Sequence, residues 1–114
     1  MTPLLVALGG AGGVLARYGL TQLVAGPWPV AAINLVGSFL LGVLVGAGGV
    51  SDQARVALGT GVLGGFTTYS AFTVQVVTDL DDGHTGRAVA YLLVSVVGGL
   101  ACAAVGYAAA RAAS

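Results

Sequence analysis

The sequence predicts an all-α integral membrane protein of four hydrophobic helices, the third of them broken at membrane depth. Three observations predict it. The chain is 57% hydrophobic and 7% charged, where soluble domains carry about 25% charged residues. Its apolar residues fall into four segments of roughly 20 residues or more, the length needed to cross a bilayer as a helix. The third segment contains a Gly/Thr/Ser cluster that makes a poor continuous helix. At 114 residues the chain is a single four-helix domain. A chain this short has a large surface for its volume, and eight charged groups do not cover it.

The first segment runs from about Pro3 to Ala25. It has no basic leader and no clear cleavage site, so it is expected to be retained as a span. Gly26-Pro27-Trp28-Pro29 ends it, because two prolines and a glycine suit a turn and not a helix interior. Trp28 fits a membrane interface. The second segment runs from about Val30 to Val50. Ser51-Asp52 then supplies an N-cap for the third, from about Gln53 to Thr78. Asp79 to Gly86 reads as an exposed polar loop, and the fourth segment covers about Arg87 to Ala110. The short joints predict antiparallel neighbours.

Glycines recur four apart at Gly9/Gly13, Gly42/Gly46 and Gly61/Gly65. Such spacing lets helix backbones approach closely in lipid. The seams are expected either within the chain or between subunits. The cations divide evenly: Arg55 and Arg111 towards the side of the N-terminus, Arg17 and Arg87 towards the other. The positive-inside rule therefore selects no orientation. Either four cations are too few to decide, or copies insert both ways and pair antiparallel.

Composition excludes several classes. Net charge is zero, which gives no nucleic-acid footprint. The lone Cys102 forms no internal disulfide and reads as a small buried thiol. There is no Glu, and all four aspartates are expected at segment edges, which argues against proton coupling. His84 is expected solvated in the loop. Catalysis is not expected.

Uncharged polar groups do lie inside the spans. Asn34 and Ser38 share a face at i,i+4. Asn34 is expected to form an interhelical hydrogen bond or to donate into a pore. In the third span Gly61, Gly64, Gly65, Thr67, Thr68, Tyr69 and Ser70 precede Phe72 and Thr73. The segment is either a kinked helix with hydroxyls bonded to their own backbone or a true break lining a cavity. At a break, freed carbonyls hold cations and freed N–H groups meet anions. Tyr69 and Phe72 lie three apart, and aromatic edges are electropositive. Tyr91 and Ser95 form an i,i+4 pair of donors. Arg17 either snorkels to the headgroups or stands at an aqueous vestibule.

Three stretches together are more specific: Gly9-Gly10-x-Gly12-Gly13-x-x-x-Arg17-Tyr18, Asn34-Leu35-x-Gly37-Ser38-Phe39-x-x-Gly42, and Gly61-x-x-Gly64-Gly65-Phe66-Thr67-Thr68-Tyr69-Ser70-x-Phe72. In this order and spacing they resemble the bacterial fluoride channel family known as Fluc or CrcB, over essentially the whole chain. The resemblance implies an antiparallel, dual-topology dimer of four-helix subunits in the bacterial inner membrane. It implies two fluoride pores along the interface and a passive export of cytoplasmic fluoride. It also implies a structural sodium ion at the dimer centre, held by the backbone carbonyls of Gly64 and Thr67. The implied pore residues are Asn34, Thr68, Tyr69, Ser70, Phe72, Tyr91 and Ser95, with Arg17 at the vestibule. Family members usually carry Phe where this chain has Tyr69. The implied partner is therefore a second copy or a paralogous subunit, with one pore lost in the latter case. A small multidrug-type exporter has a similar size, but its chemistry needs a glutamate in the first span. A non-conducting membrane subunit is a third reading.

Overall fold

The computed structural model describes residues 1–114, and every regular element in it is helical. α1 is Thr2–Leu23 and α2 is Trp28–Gly46, each with a proline in its first turn. There the missing N–H costs no hydrogen bond. Gly26, at φ 96°, turns the chain between them. α3 spans 52–66. Ser51 caps it by accepting the Ala54 N–H at 3.1 Å. Its middle, Ala57–Leu63, is π-helical, and Gly64–Phe66 closes it. After three non-helical residues, α4 runs Ser70–Asp81. α5 is Thr85–Ala113, with a π-helical stretch at Val94–Gly98. Three of these helices, α1, α2 and α5, are long and apolar enough to cross a membrane.

Two close pairs build the body: α1 packs on α3, and α2 on α5. α4 folds back onto the first half of α5. Glycines make both seams possible. A methyl group at Gly42 or Gly106 would meet the Ala103 or Phe39 carbonyl across the α2–α5 seam. One at Gly13 or Gly65 would meet the Val62 or Gly10 carbonyl across the α1–α3 seam. The neighbours of Gly9, Gly46 and Gly61 likewise belong to this chain. All three glycine pairs thus take part in packing within the chain. Arg55, in the first turn of α3, donates to the carbonyls of Leu44, Val45 and Ala47 at the end of α2. A cation there answers the negative end of the helix dipole.

The structure corrects the reading of Asp79. This residue does not lie in an exposed loop, because α4 continues through Asp81. Asp79 is 1% exposed. Its Oδ1 accepts from Arg87 at 2.6 Å and from Gln75 at 2.9 Å. One cation and one amide pair with the carboxylate, so it is held inside the fold at the end of α4. The turn is confined to Asp82–His84, with Gly83 at φ 81°. His84 is exposed, as expected, and Cys102 is half-buried instead of buried.

The α2–α5 seam supplies a test. Gly106→Val forces backbone apart and is expected to cost about 1–3 kcal/mol, the usual penalty of overpacking. Gly86, with open space around its Cα, is expected to tolerate Ala with an unchanged or raised melting temperature. Thermal unfolding in detergent checks both.

Candidate functional site

The break between α3 and α4 comprises Thr67, Thr68 and Tyr69. Thr67 leaves the helix at φ −87°, ψ 159°, an extended conformation. Side chains from two other helices hold it there. Asn34 of α2 donates its Nδ2–H to the Thr68 carbonyl at 2.9 Å, and its Oδ1 accepts the Thr68 N–H at 2.9 Å. Both bonds are partly buried, and the amide replaces the helical partners that Thr68 gives up. Gly37, one turn from Asn34, carries no Cβ, and the Thr67 methyl occupies that space. From α1, Arg17 Nε donates to the Gly65 carbonyl at 3.2 Å. It therefore acts on the C-terminal end of α3, where a cation is favoured. Thr68 Oγ1 accepts the Ala71 N–H at 3.2 Å, capping the start of α4.

These bonds change the backbone's free valences. In a continuous helix the Gly64 carbonyl would accept from the Thr68 N–H, and the Thr67 carbonyl from the Ala71 N–H. Both donors are diverted, to Asn34 and to Thr68 Oγ1. The Gly64 and Thr67 carbonyls are left without their helical partners. Neutral carbonyl oxygens at the negative end of a helix are the donor type a hard cation takes, so these two fit the implied sodium in chemistry and supply part of its shell. Thr67 Oγ1 bonds back to the Leu63 carbonyl at 3.0 Å. The local back-bonding expected of a kink is thus present alongside a true break.

Around the break lies a cavity of about 310 Å³. Asn34, Gly64, Thr67, Thr68, Tyr69, Phe72 and Ser95 all contribute to its wall. Of the residues singled out from the sequence, three lie elsewhere. Ser70 is exposed at the first position of α4. Tyr91 stands behind Phe72, with ring centroids 5.4 Å apart. Arg17 is on the α1 side of the break. Tyr69 is 78% exposed and packs loosely on Phe72, with centroids 6.1 Å apart.

Tyr91 is fully buried among Ala31, Phe72 and the edge of Trp28, whose ring centroid is 5.8 Å away. Its hydroxyl has no hydrogen-bond partner, and neither does the buried Ser95 Oγ. Native structures rarely leave such groups unpaired without an unseen water or ion. Ser38 lines the same cavity as Ser95. Its i,i+4 relation to Asn34 was the available signal. Gly37 and Asp79 carried weaker ones, a glycine among many and an aspartate in an acidic run.

A helical chain with three apolar spans, and a polar break propped open by an amide, is that of a multi-pass membrane protein. Comparison with known proteins gives the particular family. Residues 4–107 match the model of the family described as CrcB-like protein, Camphor Resistance (CrcB). A protein of Thermus thermophilus named fluoride-specific ion channel FluC is 44% identical over 113 residues, covering 91% of this chain and 90% of that one. A Moorella thermoacetica protein named FluC 2 is 43% identical, covering 96% and 97%. One from Rhodococcus jostii, FluC 1, is 53% identical over 74 residues, covering 65% and 60%. The chain belongs to the CrcB-like family, and it is a multi-pass membrane protein.

The clamp makes a direct prediction. Asn34→Asp keeps the acceptor but sets an oxygen against the Thr68 carbonyl. It is expected to cost about 1–3 kcal/mol, the penalty of an unsatisfied buried polar group. A melting temperature equal to wild type would show that the amide does not hold the break.

Proposed function

We propose that this chain is a subunit of a fluoride-selective channel, not an enzyme, that lets cytoplasmic fluoride leave a bacterium passively through its inner membrane. The observation that carries the proposal is the pair of buried, unpartnered hydroxyls on α5, Tyr91 and Ser95, set beside the Phe72 ring and the broken helix. The names borne by the relatives support the same reading.

Fluoride is small and strongly hydrated, so a path must replace its water with donors. Conduction also requires that each site be weak enough to leave. Hydroxyls, an aromatic edge and the remaining Asn34 N–H offer graded neutral donors without a fixed lysine. Acidic surroundings favour entry of hydrogen fluoride, which dissociates inside, and a passive anion path then empties the cell.

The working unit is a dimer of antiparallel four-span subunits, with the broken third segment completing each span. Gly64 and the Tyr69 ring are exposed, so the break faces outward from its own subunit. Two carbonyls are too few to hold a cation, and a two-fold related copy contributes the same two. The Gly64 and Thr67 carbonyls of both subunits would hold the sodium ion, which adds positive potential near the path without standing in it.

Tyr69 favours a second form of the same proposal, in which the chain pairs with a paralogue and one pore is lost. A hydroxyl at the usual Phe position alters the pore there, and numbered relatives such as FluC 1 and FluC 2 fit paralogous pairs. The absence of Glu, which a small multidrug-type exporter needs in its first span, weighs against that reading.

In liposomes the purified protein is expected to pass fluoride and exclude chloride, read with ion-selective electrodes. No fluoride efflux, from this chain alone or with a neighbouring paralogue added, would contradict the proposal. Phe72→Ile is expected to abolish flux while the dimer persists on size-exclusion chromatography.

A further inference from the structure

Three buried side-chain atoms in the protein lack a hydrogen-bond partner: Asp79 Oδ2, Tyr91 OH and Ser95 Oγ. They follow one another along the α4–α5 hairpin. Arg87, Tyr91 and Ser95 are spaced four apart on α5, so successive turns bring them to one side of the helix. Asp79 meets the row from α4, through its bond to Arg87. The donor row of α5 therefore does not end at Tyr91. One turn further out it reaches a guanidinium.

We propose that Arg87 is the outermost anion-binding group of the α5 row, and that the buried carboxylate of Asp79 restrains its grip. The inference rests on the channel reading above. Arg87 is 40% exposed at its side chain while Asp79 is 1% exposed, so the pair is wet on the cation's side only. A guanidinium has five N–H donors. The bond to Asp79 is made through Nη2 alone, which leaves other N–H groups for a small anion arriving from water. Gln75 donates to the same Asp79 oxygen at 2.9 Å, fixing the carboxylate from its own helix.

The arrangement answers a conflict in anion conduction. A cation at the mouth raises the local concentration of fluoride. Left unpaired beside low-dielectric walls, it would also hold a small anion too firmly for rapid exit. A carboxylate on the buried side keeps the net charge near zero while the exposed face stays positive. The other charged groups near the turn, Asp81, Asp82 and His84, are exposed to solvent; Asp82 acts on Arg87 and His84 on Asp79 through space, and salt weakens both effects.

The test is the fluoride dependence of flux for wild-type, Arg87→Gln, Arg87→Lys and Asp79→Asn proteins, each purified as the assembled channel. Arg87→Gln is expected to raise the half-saturating fluoride concentration about threefold or more and to flatten its dependence on ionic strength, as loss of a mouth charge requires. Arg87→Lys keeps the charge and restores the half-saturation towards wild type. Asp79→Asn frees the cation, lowering both the half-saturating concentration and the maximal rate. Should Asp79→Asn fail to fold, the two Arg87 variants decide alone. Wild-type flux with an unmoved half-saturation in Arg87→Gln overturns the assignment and leaves the pair as a staple of the hairpin. Absence of flux from the wild-type protein overturns the channel reading, and this assignment with it.

Discussion

The reciprocal pair between the Asn34 amide and the Thr68 backbone is the interaction on which the rest of the site depends. A helix in lipid cannot simply stop, because each unpaired N–H or carbonyl costs several kcal/mol there. Asn34 satisfies both backbone groups of Thr68 at once, at 2.9 Å each. Thr68 then sits in the break with its own N–H and carbonyl both paired. One of these bonds diverts the N–H that would close over Gly64, and the Thr68 hydroxyl diverts the one that would close over Thr67. One side chain on α2 thus supports the opening of α3 and frees the Gly64 carbonyl.

The remaining charges follow a similar economy of partners. Arg55 lies on the last carbonyls of α2, Arg17 on Gly65 at the end of α3, and Arg87 on Asp79. Each cation either meets a carboxylate or answers a helix C-terminus, where the dipole favours it. Arg111 stacks over the Tyr107 ring at 5.7 Å. With so few charges, the packing itself is left to small residues. Gly13 and Gly65 bring α1 and α3 together, and Gly42 and Gly106 bring α2 and α5 together. Close backbone contact replaces the hydrophobic drive that lipid removes.

Much of this was legible in the sequence. Apolar length marked α1, α2 and α5, and Ser51-Asp52 marked the start of α3. The crowding of glycines and β-branched threonines marked the break, since neither residue type favours a helix. What pattern could not supply was partnership across helices. Asn34 admitted two readings until Thr68 was seen against it. Arg17 looked like a headgroup or vestibule residue because nothing local indicates that Gly65 lies beside it. Asp79 was misplaced for the opposite reason. It stands at the front of an acidic run that ends in a genuine turn, and only its spacing of four from Gln75 and seven from Phe72 hints that it faces inward.

The central claim is that a propped-open helix presents two carbonyls for a cation shared with a second copy. Thermal unfolding of the purified protein in sodium, against the same concentration of a bulky organic cation, tests it most directly. A ligand that binds only the folded assembly raises its melting temperature with concentration. The account predicts a saturable, sodium-specific rise that Thr67→Pro or Gly65→Val, which disturb the break, remove. Identical melting temperatures in the two salts across the series would contradict it.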